Sequence, residues 1–266
     1  MDINNKIGIN KQTIIGMVHC LPLPGSAGFK NNMEEIKKQA LQDAETLESA
    51  GCDALIVENM GDGPFSVFLE PEQIAALSAI AILVKEKVSI PVGIDAAFSD
   101  YKASLGIAKA IGADFIRIPV FVDTVLYYGG IISPSARETL LMRKRLQAEN
   151  IKILADIQVK HTYMLNSNIS IEDSAHMAEA SGADAIIVTG SAIGTETPLD
   201  VIERVKKAVK IPVLAGSGVN AKNIKKQLMI ADGCIVGSSL KENGIISNPV
   251  SYELTKRIVD ALRSGE

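Results

Sequence analysis

Eight short aliphatic runs alternate with longer amphipathic stretches along almost the entire chain, and this alternation is the strongest constraint on the fold. Segments of strand type that alternate with segments of helix type indicate a parallel sheet covered by helices. Eight strand–helix pairs close a (β/α)8 barrel, which typically takes about 250 residues. We therefore expect an α/β protein with a single (β/α)8 TIM barrel, formed by residues 1–266 with an N-terminal extension at 1–12.

The expected elements follow from where the aliphatic runs and the amphipathic stretches lie. The strands are expected at Ile14–His19, Ala54–Glu58, Val92–Asp95, Phe115–Ile118, Lys152–Asp156, Ala185–Thr189, Val213–Ala215 and Gly233–Val236. The helices are expected at Met33–Ala50, Pro71–Lys85, Tyr101–Ile111, Ser135–Glu149, Ile171–Ser181, Pro198–Val209, Asn223–Ile230 and Pro249–Leu262. A Gly-x-Asp repeat begins at Gly51, Gly112 and Gly182, where glycine can end a helix in the left-handed conformation. We interpret the repeat as turn chemistry that stabilises the barrel.

Charge and cysteine usage exclude several classes of partner. The net charge is −4 and the basic residues form no stripe, so we expect no nucleic-acid partner. The apolar stretch Ile14–Leu23 is interrupted by His19 and Pro22 and is too short to cross a bilayer, so we expect no integral membrane segment. The three cysteines form no CxxC pair, which is typical of a reducing compartment and favours a cytoplasmic location.

Two Gly/Ser-rich turns follow the last two expected strands. Gly216, Ser217 and Gly218 come after the seventh strand, and the eighth strand ends in Gly237-Ser238-Ser239. Glycines allow the backbone to approach a ligand, and unpaired N–H groups there can bind an anion. Because (β/α)8 barrels often hold phosphate with the loops after strands 7 and 8, these residues predict a phosphate-binding site and a small phosphorylated metabolite as the ligand. The alternative is a pair of ordinary βα turns without a ligand.

Side chains that alternate along a strand predict a polar ring at one end of the barrel. In several strands every second residue, which would point into the barrel, is apolar, and the last residue of this series at the carboxyl end of the strand is polar. The polar residues reached in this way are His19, Glu58, Asp95, Arg117, Asp156 and Thr189. Such a ring at the carboxyl ends of the strands is typical of an active-site floor. A buried ion pair between Glu58 and Arg117 would be the structural alternative.

The turn after the fifth expected strand supplies two further candidates. Lys160 could neutralise a substrate anion, act as a base or form a Schiff base if its pKa were lowered. His161 could transfer protons near neutral pH. No GxGxxG follows the first strand and no P-loop is present, so we expect no nucleotide cofactor of those types. A divalent metal held by Glu58, Asp95, Asp156 and a histidine is the alternative, although no metal-binding spacing supports it.

Several long motifs resemble those of the BtpA/SgcQ family. They are Ile15–Ser26, Asp53–Phe65, Phe115–Arg117, Val159–His161, Ile186–Gly190, Gly216–Val219 and Asp232–Lys241. The resemblance covers nearly the whole chain. It implies a barrel of the ribulose-phosphate-binding type, in a family named for a factor linked to photosystem I assembly and with a branch associated with sugar-phosphate gene clusters. The blocks Gly93–Asp100 and Pro119–Val125 depart from the family pattern, and the arginine usual in the first of them is missing.

These features lead to one leading hypothesis and two alternatives. We expect an enzyme that acts on a phosphorylated sugar or nucleoside-like metabolite by lyase, isomerase, epimerase or hydrolase chemistry. Glu58, Asp156 and Lys160 are the expected acid–base groups, with His19, Arg117 and His161 in support and Asp95 as a further candidate. The alternatives are a non-catalytic assembly or regulatory factor and a divalent-metal-dependent hydrolase. The expected loop 120–133 could be a lid or a contact in a homo-oligomer.

Overall fold

Parallel strands and helices alternate through a computed structural model that describes residue 9 and residues 12–190 and 195–264. The strands are β1 (Thr13–His19), β2 (Ala54–Glu58), β3 (Val92–Asp95), β4 (Phe115–Ile118), β5 (Val125–Tyr127), β6 (Gly130–Ile132), β7 (Lys152–Ile157), β8 (Tyr163–Met164), β9 (Ala185–Val188), β10 (Val213–Ala215) and β11 (Gly233–Val236). The helices are α1 (Met33–Ala50), α2 (Pro71–Lys87), α3 (Tyr101–Ile111), α4 (Ala136–Arg145), α5 (Ile171–Ala180), α6 (Leu199–Ala208), α7 (Ile224–Leu228) and α8 (Tyr252–Arg263).

Eight of the described strands close into a barrel in the order β1-β11-β10-β9-β7-β4-β3-β2, and every neighbouring pair is parallel. The predicted (β/α)8 barrel is therefore confirmed. Helix α4 is shorter than the sequence pattern predicts, because the chain leaves the helix at Leu146 and Gln147 takes a left-handed φ of 50°. The predicted N-terminal extension lies outside the described residues, apart from Ile9 and Gln12.

The Gly-x-Asp repeat closes the end of the barrel where the strands begin. Gly51 ends α1 with a φ of 98°, a left-handed conformation that favours glycine. The aspartate of each copy accepts a hydrogen bond from the N–H at the start of a neighbouring strand: Asp53 from Ile14 at 2.8 Å and Asp114 from Val92 at 3.0 Å. Asp184 does the same for Ile153 at 2.9 Å. These bonds fix each strand to the turn beside it, which is a structural role.

The barrel interior is a packed apolar core with a polar end. Alternate strand residues point inwards and form one buried cluster, which consists of Ile15, Met17, Ala54, Ile56, Phe115, Leu154, Ala185, Ile187, Leu214 and Ile235. Gly93 leaves room for the Phe115 ring, since a Cβ at position 93 would lie 2.2 Å from Cε2 of that ring. The alternation predicted from the sequence is thus present, and the next inward positions at the carboxyl ends of the strands are polar.

The segment expected to be a loop at 120–133 contains a hairpin. Strands β5 and β6 pair in antiparallel fashion, and β5 also pairs with β8 to form a small separate sheet. Val125 and Ile132 pack with Val120 and Val159 in a small buried cluster beneath it. These strands are only two or three residues long, too short for an alternating pattern to reveal them. None of the described helices is both long and apolar enough to cross a membrane.

Candidate active site

A cavity of about 480 Å³ opens at the carboxyl ends of the barrel strands. Its size is typical of small-molecule sites. All of the residues predicted for the site, except Asp156 and Thr189, line it. They are His19, Glu58, Asp95, Arg117, Lys160, His161, Gly216, Ser217, Gly218, Gly237, Ser238 and Ser239. The structure therefore brings four of the six residues of the predicted polar ring and the two Gly/Ser turns to one cavity.

His19 and Glu58 form a buried pair on the floor of the cavity. They are register partners on β1 and β2, and their Nε2 and Oε2 atoms lie 3.4 Å apart. Burial acts to raise the pKa of the Glu58 carboxyl, but the hydrogen bond and charge of His19, together with Arg117, bring the pKa below its ordinary value. Glu58 is therefore held as a carboxylate next to the imidazole.

Arg117 lies between two aspartates from the strands on either side of β4. Its Nε and Nη2 atoms donate to Oδ2 and Oδ1 of Asp156, each at 2.9 Å, and its Nη1 atom lies 3.4 Å from Oδ2 of Asp95. Burial alone would lower the pKa of Arg117, but Asp156 raises it above its ordinary value. A forked pair of this kind fixes the guanidinium plane. Asp156 is fully buried behind Arg117 and both of its oxygens accept from it.

Asp95 has the least satisfied carboxyl group of the site. Among the described residues, neither of its oxygens has a hydrogen-bond partner, although Asp95 is completely buried from solvent. Burial raises the pKa of the Asp95 carboxyl well above its ordinary value, and the charge of Glu58 raises it further against the opposing effect of Arg117. A buried carboxylic acid that keeps its proton can donate that proton to a bound molecule. Asp95 therefore suits the role of a general acid.

Lys160 connects the polar ring with the Gly/Ser turns. Its Nζ atom donates to Oγ of Ser217 at 3.0 Å, and its backbone N–H donates to Oγ1 of Thr189 at 3.1 Å. Burial lowers the pKa of the Lys160 amine, and the positive charge of Arg117 lowers it further. A lysine with a lowered pKa can act as a base or as a nucleophile. Thr189 itself does not line the cavity and instead positions the turn that carries Lys160.

A buried aspartate that the sequence did not single out anchors the same turn. Asp123 accepts from the N–H of Gln158 and from Oγ of Ser174, both at 2.7 Å. The turn ends at His161, which has a left-handed φ of 65° and lies exposed at the mouth of the cavity. Burial lowers the pKa of His161 and the charge of Lys160 lowers it further. Asp123 could not be assigned from the sequence because its partners are distant along the chain.

The Gly/Ser turns require glycine for packing. Gly218 has a φ of 66°, and a Cβ there would lie 2.4 Å from the backbone nitrogen of Glu196. Nδ2 of Asn223 donates to the carbonyl of Gly218 at 3.0 Å and holds the turn. A Cβ at Gly237 would lie 2.9 Å from Cε1 of His19, so this turn lies directly against the cavity floor.

The sequence matches the model of the BtpA family over residues 10–264. The chain belongs to the BtpA family. An uncharacterized protein of Pyrococcus abyssi is 41% identical over 96% of this chain and 98% of its own length. The photosystem I biogenesis protein BtpA of Synechocystis is 35% identical over 95% of this chain and 88% of its own length.

Solved structures share the fold of this BtpA-family chain at low sequence identity. A (S)-3-O-geranylgeranylglyceryl phosphate synthase from Thermoplasma acidophilum, in complex with sn-glycerol-1-phosphate, has a TM-score of 0.63 and 18% identity over 99% of both chains. A thiamine phosphate pyrophosphorylase from Pyrococcus furiosus has a TM-score of 0.61 and 16% identity over 96% of this chain and 98% of its own. At this identity the similarity supports the barrel fold alone.

One wall of the cavity in this family member is aromatic and was not predicted. The aromatic wall consists of Phe65, Phe98, Tyr127 and Tyr128, which all line the cavity. The sequence offered a signal only at the hairpin, where two tyrosines are adjacent.

In the part of the chain that the structure describes, no three His, Cys, Asp or Glu side chains are grouped closely enough to hold a metal ion.

Proposed function

We propose that the chain is a cytoplasmic enzyme that acts on a phosphorylated metabolite with a sugar or nucleoside-like portion. The observation that carries the proposal is the hydrogen bond of 3.0 Å from Nζ of Lys160 to Oγ of Ser217, which joins the acid–base groups to the Gly/Ser turns in one cavity. The three cysteines are free and buried, which agrees with a reducing compartment.

The phosphate is proposed to bind between the two Gly/Ser turns. Residues 216–218 and 237–239 follow neighbouring barrel strands, and this is where barrels of this type often bind phosphate. Nζ of Lys160 reaches the first turn, where it could donate a hydrogen bond to the bound anion. Of two proteins with the same fold, one is in complex with its substrate sn-glycerol-1-phosphate and the other is a thiamine phosphate pyrophosphorylase, and this supports a phosphorylated ligand.

The proposed proton transfers use the groups whose pKa is shifted toward the required form. Lys160, with its lowered pKa, accepts a proton, and Asp95, with its raised pKa, donates one. The carboxylate of Glu58 orients His19 beside the substrate. Asp156 holds Arg117 in place, since both of its oxygens face the guanidinium. Lyase, isomerase, epimerase and hydrolase reactions all use such a pair of groups.

A thermal-shift screen against inorganic phosphate, sugar phosphates and nucleotides, with and without divalent metal ions, tests the proposal. A ligand at 100 times its Kd should stabilise the protein by about 2.7 kcal/mol, which corresponds to roughly 5–11 °C in Tm for a protein of this size. Ser239→Asp places a negative charge in the cavity at a half-buried position and should abolish the shift. Ser167→Asp, on an exposed loop at the same end of the barrel, is the matched control.

Substitution of Lys160 separates binding from chemistry. Lys160→Ala should abolish turnover of a substrate that the screen identifies, whereas the phosphorylated ligand should still bind with reduced affinity. Full turnover by this variant and by Asp95→Asn would contradict the proposed roles. A metal requirement for both binding and turnover would favour the metal-dependent hydrolase instead.

An assembly role is the second candidate function, and it is supported by exposed apolar side chains on the small sheet. Ile131 is 61% exposed, Tyr163 77% and the adjacent Leu165 53%. An exposed apolar patch of this kind suits contact with another protein or with a second copy of the chain. Loss of a partner contact in an Ile131→Asp variant, together with normal function of Lys160→Ala, would favour this candidate.

A further inference from the structure

The strand order of the barrel places the aromatic wall opposite the Gly/Ser turns. In a ring of eight strands, each strand faces the fourth strand along, so β3 faces β10 and β4 faces β11. Phe98 follows β3, and the hairpin with Tyr127 and Tyr128 follows β4. The Gly/Ser turns follow β10 and β11. A molecule that spans the cavity from the turns therefore reaches the aromatic wall at its other end.

Three of the four rings of the aromatic wall pack against one another. The centroids of Phe98 and Tyr127 are 4.3 Å apart with an interplanar angle of 8°, and those of Tyr127 and Tyr128 are 4.0 Å apart at 40°. The hydroxyl of Tyr128 accepts a hydrogen bond from the backbone N–H of Phe65 and donates to its carbonyl. The hairpin is thereby attached to the loop after β2 that carries Phe65.

The groups between the two ends are polar. His19 and Glu58 lie on the floor, and Lys160 lies beside the turns. The cavity therefore has the proposed phosphate site at one end, hydrogen-bonding groups in the middle and packed aromatic rings at the other end. Flat ring faces bind other flat rings by offset stacking, and base–aromatic stacking is tolerant of base identity. A sugar phosphate alone would leave the aromatic wall without a matching group.

We infer that the substrate is a phosphorylated pentose that carries a planar nitrogenous ring, as in a nucleoside monophosphate. The phosphate lies in the Gly/Ser turns, the pentose lies over His19 and Glu58, and the ring stacks against the aromatic wall. This inference rests on the proposed function, because it takes the phosphate site as given, and it adds the chemical class of the rest of the molecule.

The test is a calorimetric titration with adenosine and uridine 5′-monophosphates, ribose 5-phosphate, inorganic phosphate and the free nucleosides. At least one nucleotide should bind more tightly than ribose 5-phosphate by about 5- to 150-fold, the range that corresponds to the stacking of one base. Tyr127→Ala should remove this difference and leave the affinity for ribose 5-phosphate unchanged. Tyr127→Leu retains apolar volume and so keeps the hairpin packed, but it removes the aromatic ring. It should therefore also lose most of the extra affinity for nucleotides over ribose 5-phosphate, which separates loss of stacking from collapse of the hairpin.

Tyr163→Ala is the matched control, because Tyr163 lies on the same small sheet but does not line the cavity. Equal affinity for ribose 5-phosphate and for both nucleotides, unchanged in Tyr127→Ala, would overturn the ring assignment and leave the phosphate site intact. Binding of free nucleosides as tightly as of nucleotides, with no effect of Ser239→Asp, would overturn the phosphate site. The two failures are therefore distinguishable.

Discussion

Removal of the charge of Asp156 should destabilise the barrel more than removal of any exposed carboxylate. In Asp156→Asn the guanidinium of Arg117 stays buried and keeps its positive charge, but it loses the forked pair of hydrogen bonds of 2.9 Å to a carboxylate. The side chains of Arg117 and Asp156 are 8% and 0% exposed, so water cannot replace the lost partner. The asparagine preserves the shape of the side chain, and the change therefore isolates the charge.

The expected magnitude follows from the surroundings of the pair. Breaking a buried ion pair by removal of one partner typically costs about 3–5 kcal/mol. Asp95 lies 3.4 Å from the same guanidinium and can ionise in the variant, so the expected loss of unfolding free energy is at the lower end of this range, about 3 kcal/mol. For a protein of this size such a loss lowers Tm by roughly 6–12 °C.

Differential scanning calorimetry of two single variants and their double variant measures this effect. Asp95→Asn alone should cost about 1 kcal/mol or less, because no hydrogen bond to its oxygens is lost. The loss of unfolding free energy in the double variant should exceed the sum of the two single losses by about 0.5–3 kcal/mol, since neither aspartate can then neutralise the charge of Arg117. Asp260→Asn, at an exposed pair with Lys256, is the control and should leave Tm unchanged. A Tm for Asp156→Asn equal to that of the control, with additive double-variant effects, would refute the reasoning.

Three further predictions follow from other parts of the site and core. The pKa of Asp95 is raised in the folded state, so the stability that this group contributes is complete below about pH 4 and is lost as the pH rises through the folded pKa. In a calorimetric pH series, the Tm of Asp95→Asn should therefore rise relative to that of the wild type as the pH increases over this range. Lys160 has a lowered pKa, so brief acetylation at pH 8 followed by mass spectrometry should label it before the exposed lysines, and a bound phosphorylated ligand should protect it. Leu154→Ala should lower the free energy of unfolding by about 2–5 kcal/mol in urea titrations, because it opens a hole in the barrel interior.

Much of the fold was predictable because its periodicities extend over many residues. The alternation along β1, β2 and β7 identified which side chains point into the barrel, and the repeated Gly-x-Asp marked the ends of helices. The small sheet was not predictable, since strands of two or three residues are too short to show a periodic pattern. In addition, β5 and β8 are distant along the chain and pair only after the barrel has brought them together. The aromatic wall was not predicted because its rings come from three separate loops that are brought together only in the folded protein.

Strand-end position predicted which carboxyl groups the barrel brings together at its carboxyl end, but it could not predict the surroundings of each. Glu58 and Asp95 are register partners on adjacent strands, and Asp156 ends an inward series in the same way. Their surroundings differ: Glu58 pairs with His19, and Asp156 accepts the forked pair of hydrogen bonds from Arg117. Asp95 accepts no hydrogen bond from the described residues, although Nη1 of Arg117 lies 3.4 Å from its Oδ2 atom. The hydrogen bond and charge of His19 bring the pKa of Glu58 below its ordinary value, whereas burial raises the pKa of Asp95 well above its own. Three similar side chains at one level of the barrel thus have three different surroundings, an imidazole, a forked guanidinium and no hydrogen-bond donor, and the roles proposed for them follow from contacts between strands that are distant along the chain.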